Sequence, residues 1–297
     1  MTLQPRAVVI HRRSEYEELL ARHGSRQQAA FFLETRGRSL DDVVAQRQAL
    51  DSATQMATMA IPTEWRRAEV ERADLARFVF GPEDVIVVVG QDGLVANVAK
   101  YLDGQPVVGI NPEPDRNPGI LVPHRPQATG ALLSACLGEP RLQERTMVEA
   151  VTDDGQTLSA LNEVYIGHSS HQSARYQIET PDGRRERQSS SGVLAGTGTG
   201  ATGWLRSAWQ ERQSALTLPD PTQPSLCWFV REAWPSPATG TELTEGSIAP
   251  GETLTVLAET DQLVCFGDGV EADSLSLTWG QRLTIRTASR RLRLVLG

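Results

Sequence analysis

The chain has 297 residues, 39% hydrophobic and 22% charged, with 37 acidic against 29 basic side chains and a formal net charge of −8. That length holds one large or two ordinary domains with a full core, and the even composition, without repeats or low-complexity tracts, excludes a disordered or solenoid chain. The acidic balance excludes a broad basic face for nucleic acid.

Cys136, Cys227 and Cys265 lie far apart, outside any CxxC pair. A reduced, cytoplasmic setting is expected rather than a disulfide or zinc framework. "MTLQPRAVVIHRRSEYEELL" carries no apolar signal core. Nowhere does an uncharged apolar run approach the roughly 18 residues that would span a bilayer, so neither export nor a membrane partner is expected.

In chain order, "AVVI" (7–10) reads as a buried strand, followed by a helix through "SEYEELLARHG", where Ser14 and Glu17 form an S-x-x-E capping box and Gly24 closes the run. Two further helices start at the capping residues Ser25 and Ser39, and "RADLARFVFG" has helical apolar spacing. "DVIVVVG" (84–90) is too continuously apolar for a strand with one wet face, which is the mark of a parallel strand covered on both sides. Leu94, Val95, Val98, Ala99 and Leu102 then fall on one helical face, and "QPVVGIN" (105–111) is the next buried strand. Strand, tight turn, helix and strand make a βαβ crossover, in which ligands sit beyond the carboxyl ends of the strands.

The prolines of "NPGILVPHRP" suggest a boundary, giving an α/β domain over 1–125 and a mostly β, sandwich-like domain over 126–297. After a helix in "ATGALLSACLGEP", the second domain reads as short strands: "LNEVYIG", "ARYQIET", "GETLTVLAE", "QLVCFG", "QRLTIRTA" and "RLRLVLG". Turns at "PDG" (181–183) and "GDG" (267–269) separate several of them, and Arg184, Arg185 and Arg187 read as solvated positions.

Three stretches could carry chemistry. In the turn Gly90-Gln91-Asp92-Gly93, Asp92 either caps the following helix or serves phosphoryl transfer, as proton acceptor or magnesium-linked carboxylate. Asn162 and Glu163 are adjacent in a strand-like run, so they point to opposite faces; either they mark a solvated strand end, or one needs a polar partner such as a ribose. "SSSGVLAGTGTGATGWLRSAWQ" (189–210) alternates Gly196, Gly198, Gly200 and Gly203 with Thr197, Thr199 and Thr202 before a helix from about Ala201. It is either a flexible loop or a phosphate or diphosphate cradle. Trp204, directly after it, could stack on a base, whereas Trp209 reads as a core anchor. His168 and His171 have no third ligand, so no metal-ligating residue is assigned.

Together the turn, the Asn-Glu pair and the Gly/Thr run suggest a kinase for a hydroxyl-bearing nucleotide. From about residue 84 onward, "GQDGL" (90–94), Asn162–Glu163 and "TGTGATGW" (197–204) resemble the marks of ATP-dependent NAD kinases: a GGDGT turn, an Asn-Glu pair and a TPTGSTAY-like run. "PVVGINPEPDRNPGILVP", "ALNEVYIGHSSHQSARYQIE" and Trp204 in place of Tyr resemble the mitochondrial-type branch.

The resemblance implies a two-domain fold with its site in the cleft between domains, and an alcohol-group phosphotransferase. ATP, or polyphosphate, with Mg²⁺ would phosphorylate the 2′-hydroxyl of the adenosine ribose of NAD to give NADP. It implies Asp92 as the base or metal-linked group. It implies Gly90, Gln91, Gly93, Asn162, Glu163, Thr197, Thr199, Gly200, Thr202, Gly203, Trp204 and Ser207 as binding residues, and a homo-oligomer, dimer or tetramer. Two positions depart from the family: Gln91 replaces the second Gly and Leu94 the Thr, both on the phosphate-donor side. The chain also stops soon after "RLRLVLG", without the longer tail that common members fold back on the first domain. The competing expectations are an NAD(P)-binding sensor without turnover and a kinase for a sugar or lipid-headgroup hydroxyl.

Overall fold

A computed structural model describes residues 4–297 and divides the chain into two compact units, Met1–Gln143 with Arg293–Gly297, and Glu144–Leu292. No helix among the described residues is long and apolar enough to cross a membrane.

The first unit opens with β1 (Arg6–His11) and three helices, α1 (Glu15–His23), α2 (Arg26–Glu34) and α3 (Leu40–Met59). The expected capping box is present: the Ser14 amide donates to Glu17 Oε2 at 2.8 Å and the Glu17 amide to Ser14 Oγ at 3.4 Å. Gly24 ends α1 at φ 76°, a left-handed cap where a β-carbon would be strained. There follow β2 (Arg66–Glu71), β3 (Asp84–Val89), α4 (Asp92–Ala99), β4 (Pro106–Ile110) and α5 (Thr129–Ala135). The strands run parallel in the order β2-β1-β3-β4, with Ile86 opposite Val8 and Val107.

All six residues of β3 are buried, as its unbroken apolar run predicts. Val87 and Val89 pack with Val9, Ala57 and Leu133 in one core. The start of β3 is pinned by Asp84, 2% exposed, whose carboxylate takes Arg6 Nη2 at 2.6 Å and the Gly81 amide at 2.7 Å. Two local expectations need correction. "RADLARFVFG" forms only a 3₁₀ turn over Arg72–Arg77, and β2, not foreseen, precedes it. β2 lies at the sheet edge with half of its residues exposed and only Val70 buried, so its sequence lacks an apolar alternation.

The second unit is built from β5 (Leu142–Thr152), β6 (Thr157–Ala160), β7 (Glu163–His168), β8 (Ala174–Glu179), β9 (Arg185–Ser190), β10 (Gly192–Gly196), α6 (Trp204–Glu211), β11 (Leu226–Arg231), β12 (Glu245–Ile248), β13 (Leu254–Ala258), β14 (Leu263–Gly267), β15 (Val270–Leu277) and β16 (Arg282–Val295). One antiparallel sheet has the order β12-β11-β10-β7-β14-β15. A second set runs β16-β13-β8-β9, with β5 pairing β16 and β6.

Val164, Ile166 and Val193 of the first sheet share one core with Tyr176, Val256 and Ile285 of the second, which is sandwich packing. The α/β unit with a parallel sheet and the β-rich unit confirm the expected fold class. "QRLTIRTA" and "RLRLVLG", read as two strands, are the single strand β16, whose last residues Arg293 and Leu294 lie in the first unit, parallel to Pro106 and Val107. Arg184, Arg185 and Arg187 are exposed and pair with Asp182, Glu179 and Glu259.

Candidate functional site

In the first unit, the chain leaves β3 through Gly90 (φ 157°), where a β-carbon would lie 3.2 Å from Leu94 Cδ2. The opening is tight because Leu94 is itself core, 4% exposed. Gln91 is the N-cap of α4 but makes no side-chain cap bond, and its side chain is exposed.

Asp92, the first residue of the helix, does not cap it either. Its carboxylate reaches across to the segment 120–122: Oδ1 accepts from the amides of Leu121 at 2.8 Å and Val122 at 3.2 Å, and Oδ2 from Ile120 at 3.1 Å. The turn and Val122 line an open recess of about 270 Å³ with Asn111, Asn117, Pro118 and Gly119. Its far wall is fixed as well: Asn111 Nδ2 donates to the Asn117 carbonyl at 2.7 Å, and Asn111 Oδ1 accepts from the Glu113 amide at 3.0 Å.

In the second unit, Asn162 and Glu163 stand at the start of β7, both half-buried. Among the described residues neither side chain has a hydrogen-bond partner, although the backbone beneath them is fully engaged. Thr197 Oγ1 donates to the Leu161 carbonyl at 2.6 Å and the Thr197 amide to the Asn162 carbonyl at 2.8 Å. From the other side, Asp268 accepts from the amides of Leu161 (Oδ2, 2.8 Å), Asn162 (Oδ1, 2.7 Å) and Glu163 (Oδ1, 3.4 Å). Burial first, and the Asp268 charge second, push the Glu163 carboxyl up to about 7.

Asp268 was not expected at the site. In the sequence it is only the middle of a "GDG" turn, and nothing local says that its side chain turns toward residues a hundred positions earlier.

Gly196, Gly198 and Gly200 of the Gly/Thr run are required by the chain's own close packing, whereas Gly203 has room for a β-carbon. A β-carbon at Gly200 would lie 2.4 Å from the Asn162 carbonyl oxygen, and one at Gly198 2.2 Å from the Asp220 carbonyl carbon. The threonine hydroxyls also turn inward: Thr197 Oγ1 accepts from the Thr199 amide at 3.1 Å, Thr199 Oγ1 from Arg145 at 3.4 Å, and Thr202 Oγ1 donates to the Thr199 carbonyl at 2.9 Å.

The run ends in a 3₁₀ turn at Gly200–Thr202, and α6 begins at Trp204 rather than Ala201. Gly203 supplies the break, and Ser207 Oγ lies 3.4 Å from its carbonyl. Trp204 stacks on Tyr165 (5.3 Å between centroids, 28° between planes), with the Arg231 guanidinium 5.4 Å over its ring. Trp209 anchors the helix through Nε1 to the Leu216 carbonyl at 2.8 Å. His168 Nδ1 accepts from the Ser170 amide at 3.0 Å and His171 is exposed.

Comparison with solved structures gives the fold first. Yeast NADH kinase complexed with NADH superposes with a TM-score of 0.60 over 100% of this chain and 84% of that chain, at 14% sequence identity. The chain therefore has the fold of that kinase.

Sequence comparison is more particular. The chain is 30% identical to NAD kinase 2, mitochondrial, of Rattus norvegicus, over 46% of each protein. It is 27% identical to the NAD kinase of Chlorobaculum tepidum, over 46% of this chain and 47% of that one. It is 29% identical to the human NAD kinase 2, mitochondrial, over 41% of this chain and 38% of that one. The chain thus spans less than half the length of the curated relatives it matches. No family model matches it.

Proposed function

We propose that the protein is an NAD kinase, moving a phosphoryl group from ATP or polyphosphate to the 2′-hydroxyl of the adenosine ribose of NAD. The observation that carries this reading is the pair Asn162 and Glu163. Among the described residues these half-buried polar side chains have no hydrogen-bond partner, yet they stand on a backbone braced from both sides. Their polar ends stay reachable from solvent and so from a ligand, and a carboxyl raised by burial is a common mark of a binding or catalytic site. Neighbouring ribose hydroxyls would supply the missing partners, both donating and accepting.

Asp92 is assigned to the chemistry. Oδ1 already accepts two amides and Oδ2 one, so Oδ2 keeps a lone pair free. That oxygen takes the proton of the attacking hydroxyl as the new O–P bond forms and the donor's bridging oxygen leaves with its electron pair. Gly90, Gln91 and Gly93 border the recess and are assigned to the phosphates. Thr197, Thr199 and Gly200 shape the loop under Asn162, and Thr202, Gly203, Trp204 and Ser207 form its exit toward the dinucleotide.

No group of three or more His, Cys, Asp or Glu side chains that could hold a metal occurs among the described residues, and the oxygens of Asp92 are largely occupied. Among the described residues there is thus no ready cage for Mg²⁺, which would ride on the donor's phosphates and neutralise part of their charge; no residue is named as its ligand. A homo-oligomer and, from three free thiols, a cytoplasmic setting complete the proposal.

The test is direct: incubate purified protein with NAD, Mg²⁺ and ATP or polyphosphate, and detect NADP with an NADP-specific dehydrogenase. Absence of product with every donor, beside an active control kinase, overturns the kinase reading. The three amides on Asp92 favour a second reading, an NAD(P) sensor in which that carboxylate only braces the 120–122 segment; it requires NAD binding by calorimetry with no turnover.

A further inference from the structure

We propose that Asp268 is a positioning residue of the dinucleotide site, fixing the Leu161–Glu163 backbone so that the Asn162 and Glu163 side chains stand ready for the dinucleotide. The inference rests on the reading that NAD binds at this pair. Asp268 lies in the turn between β14 and β15 at φ 51°, a left-handed conformation that glycine adopts most readily and that aspartate tolerates in turns. The turn alone would accept glycine as well, so what sets this aspartate apart is what its side chain reaches.

That side chain serves three consecutive amides, while the Asp268 amide returns a bond to the Glu163 carbonyl at 3.1 Å. On the opposite edge Thr197 holds the carbonyls of Leu161 and Asn162. The peptide is thus gripped on both its donor and its acceptor edges, an arrangement that lets two polar side chains remain unpaired without the segment collapsing onto them. Asp268 also sets a negative charge beside Glu163, which helps to keep that carboxyl protonated near neutrality and able to donate as well as accept.

The experiment uses two variants of the full chain. Asp268→Gly keeps the turn and the amide-to-Glu163 bond but deletes the carboxylate. Asp268→Asn keeps one acceptor oxygen and removes the charge. For Asp268→Gly the Tm is expected to fall because three amides lose their acceptor, and well below that transition the Kd for NAD by calorimetry and the KM for NAD are expected to rise tenfold or more, with the KM for the phosphoryl donor changed less than twofold. Asp268→Asn is expected to recover part of the NAD affinity and to move the pH midpoint of NAD binding downward, because the like charge beside Glu163 is gone.

Unchanged NAD affinity in both variants, with a wild type that binds NAD, overturns the inference and leaves the kinase reading standing. Equal losses toward NAD and donor, tracking a fall in Tm, reduce Asp268 to a folding role and likewise overturn it. A wild type that does not bind NAD overturns the reading and the inference together.

Discussion

Asp92 Oδ1 lies 2.8 Å from the amide of Leu121, 29 residues further along the chain, so the carboxylate in the tight turn after β3 is tied to the opposite wall of its own recess. The same carboxylate can therefore have a structural and a chemical role, and substitution separates them. Asp92→Asn retains an oxygen for Leu121 and Val122 and forfeits the bond from Ile120. It should cost about 1 kcal/mol, whereas Asp92→Ala, which strands all three amides, should cost about 2–4 kcal/mol in urea titrations. If Asp92 also takes the hydroxyl proton, Asp92→Asn should lower kcat by about 10²–10⁴-fold despite its small effect on stability. A kcat that falls only in proportion to the folded fraction would leave Asp92 a brace.

Glu163 gives a pH signature. Its carboxyl is raised from 4.5 to about 7 in the folded protein, so the folded state binds the proton more tightly than the unfolded chain does. The stability it contributes is fully present below about pH 4.5 and is lost as pH rises through about 7. On that linkage wild type should lose roughly 2–3 kcal/mol across the window relative to Glu163→Gln, which carries no titrating group there. Parallel urea titrations of the two proteins at pH 5 and pH 8 measure the difference, and identical pH dependences would show that the site is more hydrated than its burial indicates.

Much of this was legible in the sequence. The unbroken apolar run of β3, the Ser14–Glu17 box and the Gly24 cap are local signals, and the structure reproduces them because short-range sterics and hydrogen bonds decide them. The pairing of Asn162 with Glu163 was visible as a polar intrusion in a strand. Asp268 was not, because its role depends on β7 and β14 being neighbours, a fact of topology. The inward turn of Thr197 was also hidden: a Gly/Thr run gives the same pattern whether its hydroxyls face a ligand or the Leu161 carbonyl. The edge strand β2 escaped because exposure on both faces erases the period that marks a strand.

The glycines divide into two physical classes, and alanine substitution should separate them. At Gly200 a β-carbon would come within 2.4 Å of the Asn162 carbonyl oxygen and 3.0 Å of Glu163 Oε2, so backbone must move. Gly200→Ala should destabilise the chain by about 1–3 kcal/mol, the range for overpacking, and raise the KM for NAD by displacing the pair. At Gly93 no atom lies within 4 Å of the added carbon, and the residue sits inside the first turn of α4. Gly93→Ala should therefore be neutral or stabilising by about 0.5–1 kcal/mol through helix propensity. Tm and KM for both substrates distinguish the cases. A Gly93→Ala protein that is stable but has a raised donor KM would show that this glycine is kept open for phosphate, and an unchanged KM would remove it from the donor site.

The two departures from the kinase turn should behave oppositely when reversed, because one side chain is exposed and the other is core. Gln91 makes no cap bond and borders the recess, so Gln91→Gly deletes only an exposed polar side chain and should leave Tm within a few degrees. If that side chain fills space a phosphate would occupy, the KM for ATP should fall severalfold while the KM for NAD stays constant. Leu94 is 4% exposed and packs under Gly90. Leu94→Thr would bury a hydroxyl and leave a void, costing about 2–4 kcal/mol without improving donor use. A double variant with restored ATP affinity at reduced stability would assign the donor effect to position 91 alone. Tighter ATP binding in Leu94→Thr by itself would instead show that the buried leucine acts on the phosphates through the backbone of the turn.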